Sequence, residues 1–160
     1  MTEHIKSDVS VITIDGPSGT GKGTIAHMLA QTLNWHLLDS GALYRLVGVG
    51  AEKKGILLSN IKELVLFSLD MDVHFSRLFE GSIELNGEEV SNLIRQESSG
   101  ELASLVAVIP EIRAALSERQ LAFRQLPGLV ADGRDMGTVI FPDATQKFFL
   151  TASPQERGER

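Results

Sequence analysis

The sequence has no cysteine, which excludes disulfides, thiol catalysis and cysteine-bound zinc. It has no apolar run long enough to cross a membrane. The first residues, Met1-Thr2-Glu3-His4-Ile5-Lys6-Ser7-Asp8, are polar and hold no signal-peptide core. A cytoplasmic protein with no membrane partner is expected. Positive charge is also short: 15 Lys and Arg stand against 21 Asp and Glu, a net charge of -6. Non-specific nucleic-acid binders are normally basic, so no polymer partner is expected, although a local basic cleft is compatible with this total. The four histidines, His4, His27, His36 and His74, are scattered, with no metal-ligand spacing on an obvious helix. There is no internal repeat, no low-complexity segment and no Asn-Lys-x-Asp guanine-reading stretch, which argues against a GTPase switch. No seam or large apolar stripe calls for a second copy, so a monomer is expected. What is present is 160 residues, 42% hydrophobic and 22% charged, enough for one domain with a real core.

The chain is organised around Gly16-Pro17-Ser18-Gly19-Thr20-Gly21-Lys22-Gly23-Thr24. An apolar run, Val9 to Ile14, precedes it and an amphipathic segment follows. Strand, glycine-rich turn and helix make the context of a phosphate-binding loop, and Gly16, Gly21 and Lys22 fit G-x-x-x-x-G-K. The glycines let successive N–H groups point into one hollow. The helix start adds free donors and the positive end of its dipole. Lys22 brings a mobile point charge for the outer phosphates of a nucleoside triphosphate. The residue after the lysine is Gly23, where the usual motif has Ser or Thr. Thr24 stands one further on, which leaves open whether it meets Mg²⁺ directly or through water.

Taken in order, a helix is predicted from Lys22 to about Leu33, with Asn34 as its stop, then a short strand over His36-Leu37-Leu38. Asp39-Ser40-Gly41-Ala42-Leu43-Tyr44-Arg45 lies just past that strand's carboxyl end, where open α/β sheets bind ligands. Ser40 is read as the cap of the next helix, and Arg45 as pointing back at the cleft. That helix runs to Lys53-Lys54 and ends at Gly55. Asn60, with Glu63 three residues later, starts another helix. Met71 to Phe75 and Ser82 to Val90 alternate apolar and polar, and Asn86-Gly87 lies in the second run. This predicts a small antiparallel unit over about residues 70–92 that cannot hold together alone. Residues 91–107 are expected to be mostly helical. Pro110 opens a helix with the apolar stripe Ile112, Ala115, Leu116, Ala122 and Phe123. Arg113, Arg119 and Arg124 lie beside that stripe or opposite it, as solvated charges. Leu129-Val130-Ala131-Asp132 reads as a buried strand ending in a carboxylate placed to help hold Mg²⁺; Asp15 is placed similarly. Gly133 and Gly137 allow unusual backbone angles around Arg134 and Asp135. A strand over Lys147 to Thr151 and a helix from Ser153-Pro154, carrying Arg157 and Arg160, close the chain. Strands alternating with helices imply an α/β fold, a doubly wound parallel sheet.

Three segments together resemble the bacterial cytidylate kinases, P-loop nucleoside monophosphate kinases: Asp15 to Thr24, Asp39 to Arg45, and Asp132-Gly133-Arg134-Asp135-Met136-Gly137-Thr138. Val139 to Ala144 extends the likeness. The resemblance runs from about Val9 to the end. It implies helices on both faces of the sheet and an enzyme that passes the γ-phosphoryl of ATP, with Mg²⁺, to CMP or dCMP. It implies Ser40, Arg45, Arg113 and Arg134 on the CMP phosphate and cytosine, with Asp135 on the sugar or orienting that grip. Lys22, Arg134 and Asp132 are the expected catalytic residues, with Thr24 at the metal. It also implies a single domain whose monophosphate-binding insertion covers about residues 62–100 and contains the hairpin. A mobile lid would begin near residue 154, and family members continue beyond it, so the chain reads as C-terminally incomplete. The alternative is a nucleotide-binding fragment without catalysis.

Overall fold

The computed structural model describes residues 8–153 and 155. Strand β1 (Val11–Asp15) gives way to the glycine loop and then helix α1 (Lys22–Leu33). The helix stops at Asn34, whose φ of 56° is left-handed and whose N–H returns to the carbonyls of Ala30 and Gln31. Strand β2 (His36–Asp39) runs straight into α2 (Ser40–Lys54), which Gly55 closes at φ 69°. Helix α3 (Ile61–Asp70) starts on Asn60, whose Oδ1 accepts from the Glu63 N–H at 3.3 Å while its amide donates to the Glu63 carboxylate at 2.8 Å. Strands β3 (Val73–Phe75), β4 (Ile83–Leu85) and β5 (Glu88–Glu89) follow. Asn86 and Gly87 turn β4 into β5 with φ of 51° and 81°, the two left-handed residues a tight hairpin wants. Then come α4 (Ser91–Ile94), α5 (Glu97–Ala107), α6 (Pro110–Ala122), β6 (Leu129–Gly133), a π-helical turn (Met136–Ile140) and β7 (Gln146–Phe149).

The main sheet has the order β2-β6-β1-β7, all parallel. Period-two alternation sends its residues to two cores. On one face Ile14 and Val130 pack with Ala26 and Ala30 of α1, joined by Ile12 and Trp35. On the other, Val11, Leu38, Leu129 and Ala131 pack with α2, α3 and α6 through Leu43, Leu46, Leu64, Ile112 and Leu116. Helices therefore cover both faces, as the doubly wound reading requires. The antiparallel sheet β3-β4-β5 has no core of its own. Phe75, Ile83, Leu85 and Val90 bury into the second core, which is how so small a unit stays folded.

Residues 91–107 are mostly helical, as expected, and form two helices because Gln96 is extended (φ -65°, ψ 147°), while two strand boundaries differ from expectation. Side chains help hold the last carbonyls of α4: Ile94 accepts from Arg45 Nη1 at 2.7 Å and Leu93 from the Ser99 hydroxyl at 2.6 Å as well as from the Gln96 N–H. The first strand is Val11–Asp15, because pairing with β6 begins at Val11 opposite Leu129. The last strand stops at Phe149, paired with Asp15, where β1 itself ends. The helix expected from Ser153-Pro154, with Arg157 and Arg160, lies outside the described residues, as does the lid. No helix among the described residues is long and apolar enough to cross a membrane.

Candidate functional site

Three neighbouring parallel strands each deliver an aspartate to the carboxyl edge of the sheet. Asp39 of β2 is in register with Asp132 of β6, and Asp15 of β1 lies one residue beyond the partner of Asp132. All these strands point the same way, so their ends form one rim beneath the glycine loop. At the start of α1, Lys22 reaches over this rim, with Nζ 3.2 Å from Asp132 Oδ1. Asp132 is only 5% exposed. Burial, and then the nearby Asp39 charge, push its carboxyl up to about 6; Lys22 offsets part of this and Asp15 adds a little. Burial also raises Asp39, against the opposing pull of the Ala42 N–H, Lys22 and Arg45.

A carboxyl raised on folding holds its proton more tightly folded than unfolded. Its contribution to stability is complete below about pH 4 and is lost as pH rises through about 6. Asp132→Asn is therefore expected to stabilise the fold by roughly 1–3 kcal/mol at pH 7. It should also flatten the melting profile between about pH 4 and 6, read by thermal unfolding across pH. Equal melting profiles for the two proteins would show that the charge at Asp132 carries no strain.

The donor loop has the backbone its glycines permit. Gly16, Gly19 and Gly21 have φ of 149°, 77° and 82°. A Cβ on Gly16 would lie 2.3 Å from the Leu150 carbonyl oxygen, so no side chain fits there. Pro17 accepts the Thr20 hydroxyl at 3.0 Å, which braces the loop, and Ser18 is exposed at its tip. No side chain caps α1 at Gly21, which leaves its first N–H groups facing the hollow. A cavity of about 260 Å³ opens beside them, lined by Gly21, Gly23, Thr24, His27, Asp39, Glu80 and Asp132. The Thr24 hydroxyl donates to Glu80 at 2.7 Å. Asp132 Oδ1 has Lys22 as its ion-pair partner at 3.2 Å. The remaining lone pairs of that buried carboxylate and the Thr24 hydroxyl, at one cavity, fit a hard cation held largely through water. Among the described residues no group of three or more His, Cys, Asp or Glu could bind a metal alone.

On the acceptor side the cap of α2 is Asp39, not Ser40. The Asp39 carboxylate accepts from the Ala42 N–H at 3.1 Å, and Ser40 is the first helical residue, buried. Ser40 and Gly133 are pressed together: a Cβ on Gly133 would come within 2.8 Å of Ser40 Cβ. Arg45 is fastened to the Ile94 carbonyl, and the Arg113 side chain hydrogen-bonds Tyr44, one residue before Arg45. Arg134 and Asp135 are exposed on the loop after β6. The unusual backbone angle here belongs to Asp135 (φ 59°) rather than to either glycine. Gly133 and Gly137 are needed for close approach instead; a Cβ on Gly137 would lie 2.6 Å from Thr13 Oγ1. Asp15 holds the loop down, its two carboxylate oxygens accepting from the Met136 and Gly137 N–H groups at 2.8 and 2.9 Å. Asp15 is thus a brace for the loop.

The fold thus brings together Lys22, Asp132, Asp39 and the donor loop, and sets Ser40 against the start of the Arg134–Asp135 loop. No hydrogen bond or ion pair among the described residues joins Arg134 or Asp135 to Arg45 or Arg113. Asp39, Tyr44 and Glu80 enter the site without having been singled out in the sequence. For Asp39 a signal existed, since β1, β2 and β6 each carry an aspartate at or next to their carboxyl end. For Glu80 there was none, because it lies 56 residues from Thr24.

Comparison with known proteins bears on the whole chain. The family model for cytidylate kinase matches residues 12–160. A Pseudomonas putida (strain W619) protein named cytidylate kinase is 54% identical over 98% of this chain and 70% of its own length. Relatives of the same name from Nitrosococcus oceani and Pseudomonas fluorescens (strain Pf0-1) are 52% and 55% identical, over 98% and 94% of this chain and 70% and 67% of theirs.

Proposed function

The chain belongs to the cytidylate kinase family, and on that premise we propose that it transfers the γ-phosphoryl group of ATP to CMP or dCMP, as a cytoplasmic monomer. The observation that carries this reading is the Lys22–Asp132 pair at 3.2 Å, set between an uncapped glycine loop and the Ser40–Gly133 junction. A non-catalytic binding module finds no support in the relatives, which carry a kinase name.

In this mechanism an oxygen of the CMP phosphate forms a bond to the γ-phosphorus as the bridging β–γ bond breaks. CDP forms and ADP leaves. The attacking phosphate is already an anion near neutral pH, so no general base is needed. The protein's task is to bring two anions into line and balance their charge. The N–H groups of the Gly16 to Thr24 loop, Pro17 excepted, cradle the donor phosphates, and Lys22 exchanges Asp132 for the γ-phosphoryl oxygens. Mg²⁺, when bound beside Asp132 and Thr24, supplies further charge neutralisation. Ser40, Arg45, Arg113 and Arg134 grip the acceptor phosphate and base, the planar guanidiniums binding two oxygens at once. Asp135 orients that grip or meets the sugar. Residues 62–100 then serve as the monophosphate-binding insertion, and a lid begins near residue 154.

Arg134→Ala is expected to lower kcat/KM for CMP by about 30- to 1000-fold, or 2–4 kcal/mol, and to leave ATP binding nearly unchanged. Steady-state kinetics and calorimetric titration with a non-hydrolysable ATP analogue measure the two. Equal loss of both would remove Arg134 from the acceptor site.

A further inference from the structure

We propose that a second cleft, between β3 and the C-terminal end of α6, binds an anionic group carried on a flat apolar body, the chemistry of an aryl phosphomonoester. The cleft encloses about 520 Å³, twice the cavity at the glycine loop, and falls in the size range of small-molecule sites. Phe75 and Phe123 furnish an aromatic floor, with ring centroids 5.6 Å apart and planes inclined at 41°. Such a surface suits a planar ring.

Two guanidiniums line the same cleft. Arg77 Nη1 and Arg119 Nε are both buried, and neither has a hydrogen-bond partner among the described residues. A buried donor left unpaired is costly and calls for a ligand, ion or water. Arg119 cannot easily turn away, because its Nη2 donates to the Met71 carbonyl at 2.6 Å. Its expected place as a solvated charge is thereby corrected: the side chain is half-buried and anchored. Two cationic forks with spare donors select an anion with several oxygens. His36 and His74 also line the cleft, and exposed Asp72 is its one acidic residue. His36 Nε2 is already engaged with the Leu126 carbonyl at 3.0 Å.

The cleft is not the phosphate-loop cavity. The two share only Leu37, Phe75 and Ser76 as a common wall, and none of Lys22, Asp132 or Thr24 lines the larger one. Occupancy of one should therefore leave the other free.

The histidines supply separate reporters, since His36 and His74 line this cleft and His27 lines the other cavity. Phenyl phosphate is titrated into the protein while the imidazole resonances are followed by NMR. Saturable shifts of His36 and His74 are expected, with inorganic phosphate binding the same place more weakly. Saturating ATP should leave those shifts unchanged. Arg77→Gln should weaken phenyl phosphate about tenfold through loss of charged hydrogen bonds. The proposal is overturned if His36 and His74 do not move, if only His27 moves, or if ATP displaces the effect. It is also overturned if Arg77→Gln folds and binds phenyl phosphate as the unsubstituted chain does. The ATP competition needs no variant, so the test stands even if Arg77→Gln is unstable.

Discussion

Lys22→Met is expected to lower kcat by about a hundred- to a thousandfold or more, with a smaller effect on nucleotide affinity. Methionine keeps the stem's volume and removes the charge. The loop N–H groups still hold the donor phosphates, so binding survives. What goes is the cation that follows the γ-phosphoryl as it moves, an interaction strongest in the transition state. The substitution has a second consequence. Lys22 is the cation paired with Asp132, whose carboxyl already sits near 6 from burial and the Asp39 charge. Without Lys22 that carboxyl is pushed higher, and the folded state must carry it protonated or strained. Lys22→Met should therefore melt lower than the unsubstituted chain at pH 7, while Asp132→Asn melts higher. Opposite signs for two partners of one pair are the mark of a buried charge retained for function rather than stability. Coupled kinetics and thermal melts of both variants check this. An unchanged kcat in Lys22→Met would remove Lys22 from the reaction.

Asp15→Ala is expected to cost about 3–5 kcal/mol of stability and to raise the KM for CMP well above its effect on ATP. Its two oxygens are the partners of the buried Met136 and Gly137 N–H groups. Removing them leaves two donors unpaired in a site where a Cβ on Gly137 would already press on Thr13. The turn they anchor begins at Asp135 and follows Arg134, so the acceptor side loosens first. The donor loop begins at the next residue, Gly16, but is braced separately by its own glycines and by Thr20. Thermal unfolding and KM values for both substrates measure the effect. Loss of ATP binding without change in CMP would contradict the assignment of Asp15 to the Arg134–Asp135 loop.

Much of this was legible because it is local. Asn34, Gly55 and Asn86-Gly87 act through their own backbone and Asn60 through a side chain that reaches three residues on, and each ends, starts or turns its element where the sequence places it. The glycine loop belongs to the same class, since its spacing carries its geometry. Most of what escaped depends on distant partners. Arg45 divides 91–107 by taking the Ile94 carbonyl from 49 residues away. Asp39 rather than Ser40 is the cap for a local reason: the helix already begins at Ser40, and the extended Asp39 before it accepts from the Ala42 N–H. Arg119 reads as a surface charge on its helix, yet it is anchored to Met71, 48 residues back. The strain at Asp132 could not be seen either. It arises first from burial and then from the charge of Asp39, brought into register at the end of β2, and strand order is not written in any one segment.

The most direct test of the account is ATP consumption by this chain, followed in a coupled assay with CMP, dCMP, UMP or AMP, or with no acceptor. The account predicts consumption that depends on the acceptor and is fastest with CMP or dCMP. Fastest turnover with AMP, or consumption that is the same with and without CMP, would contradict it.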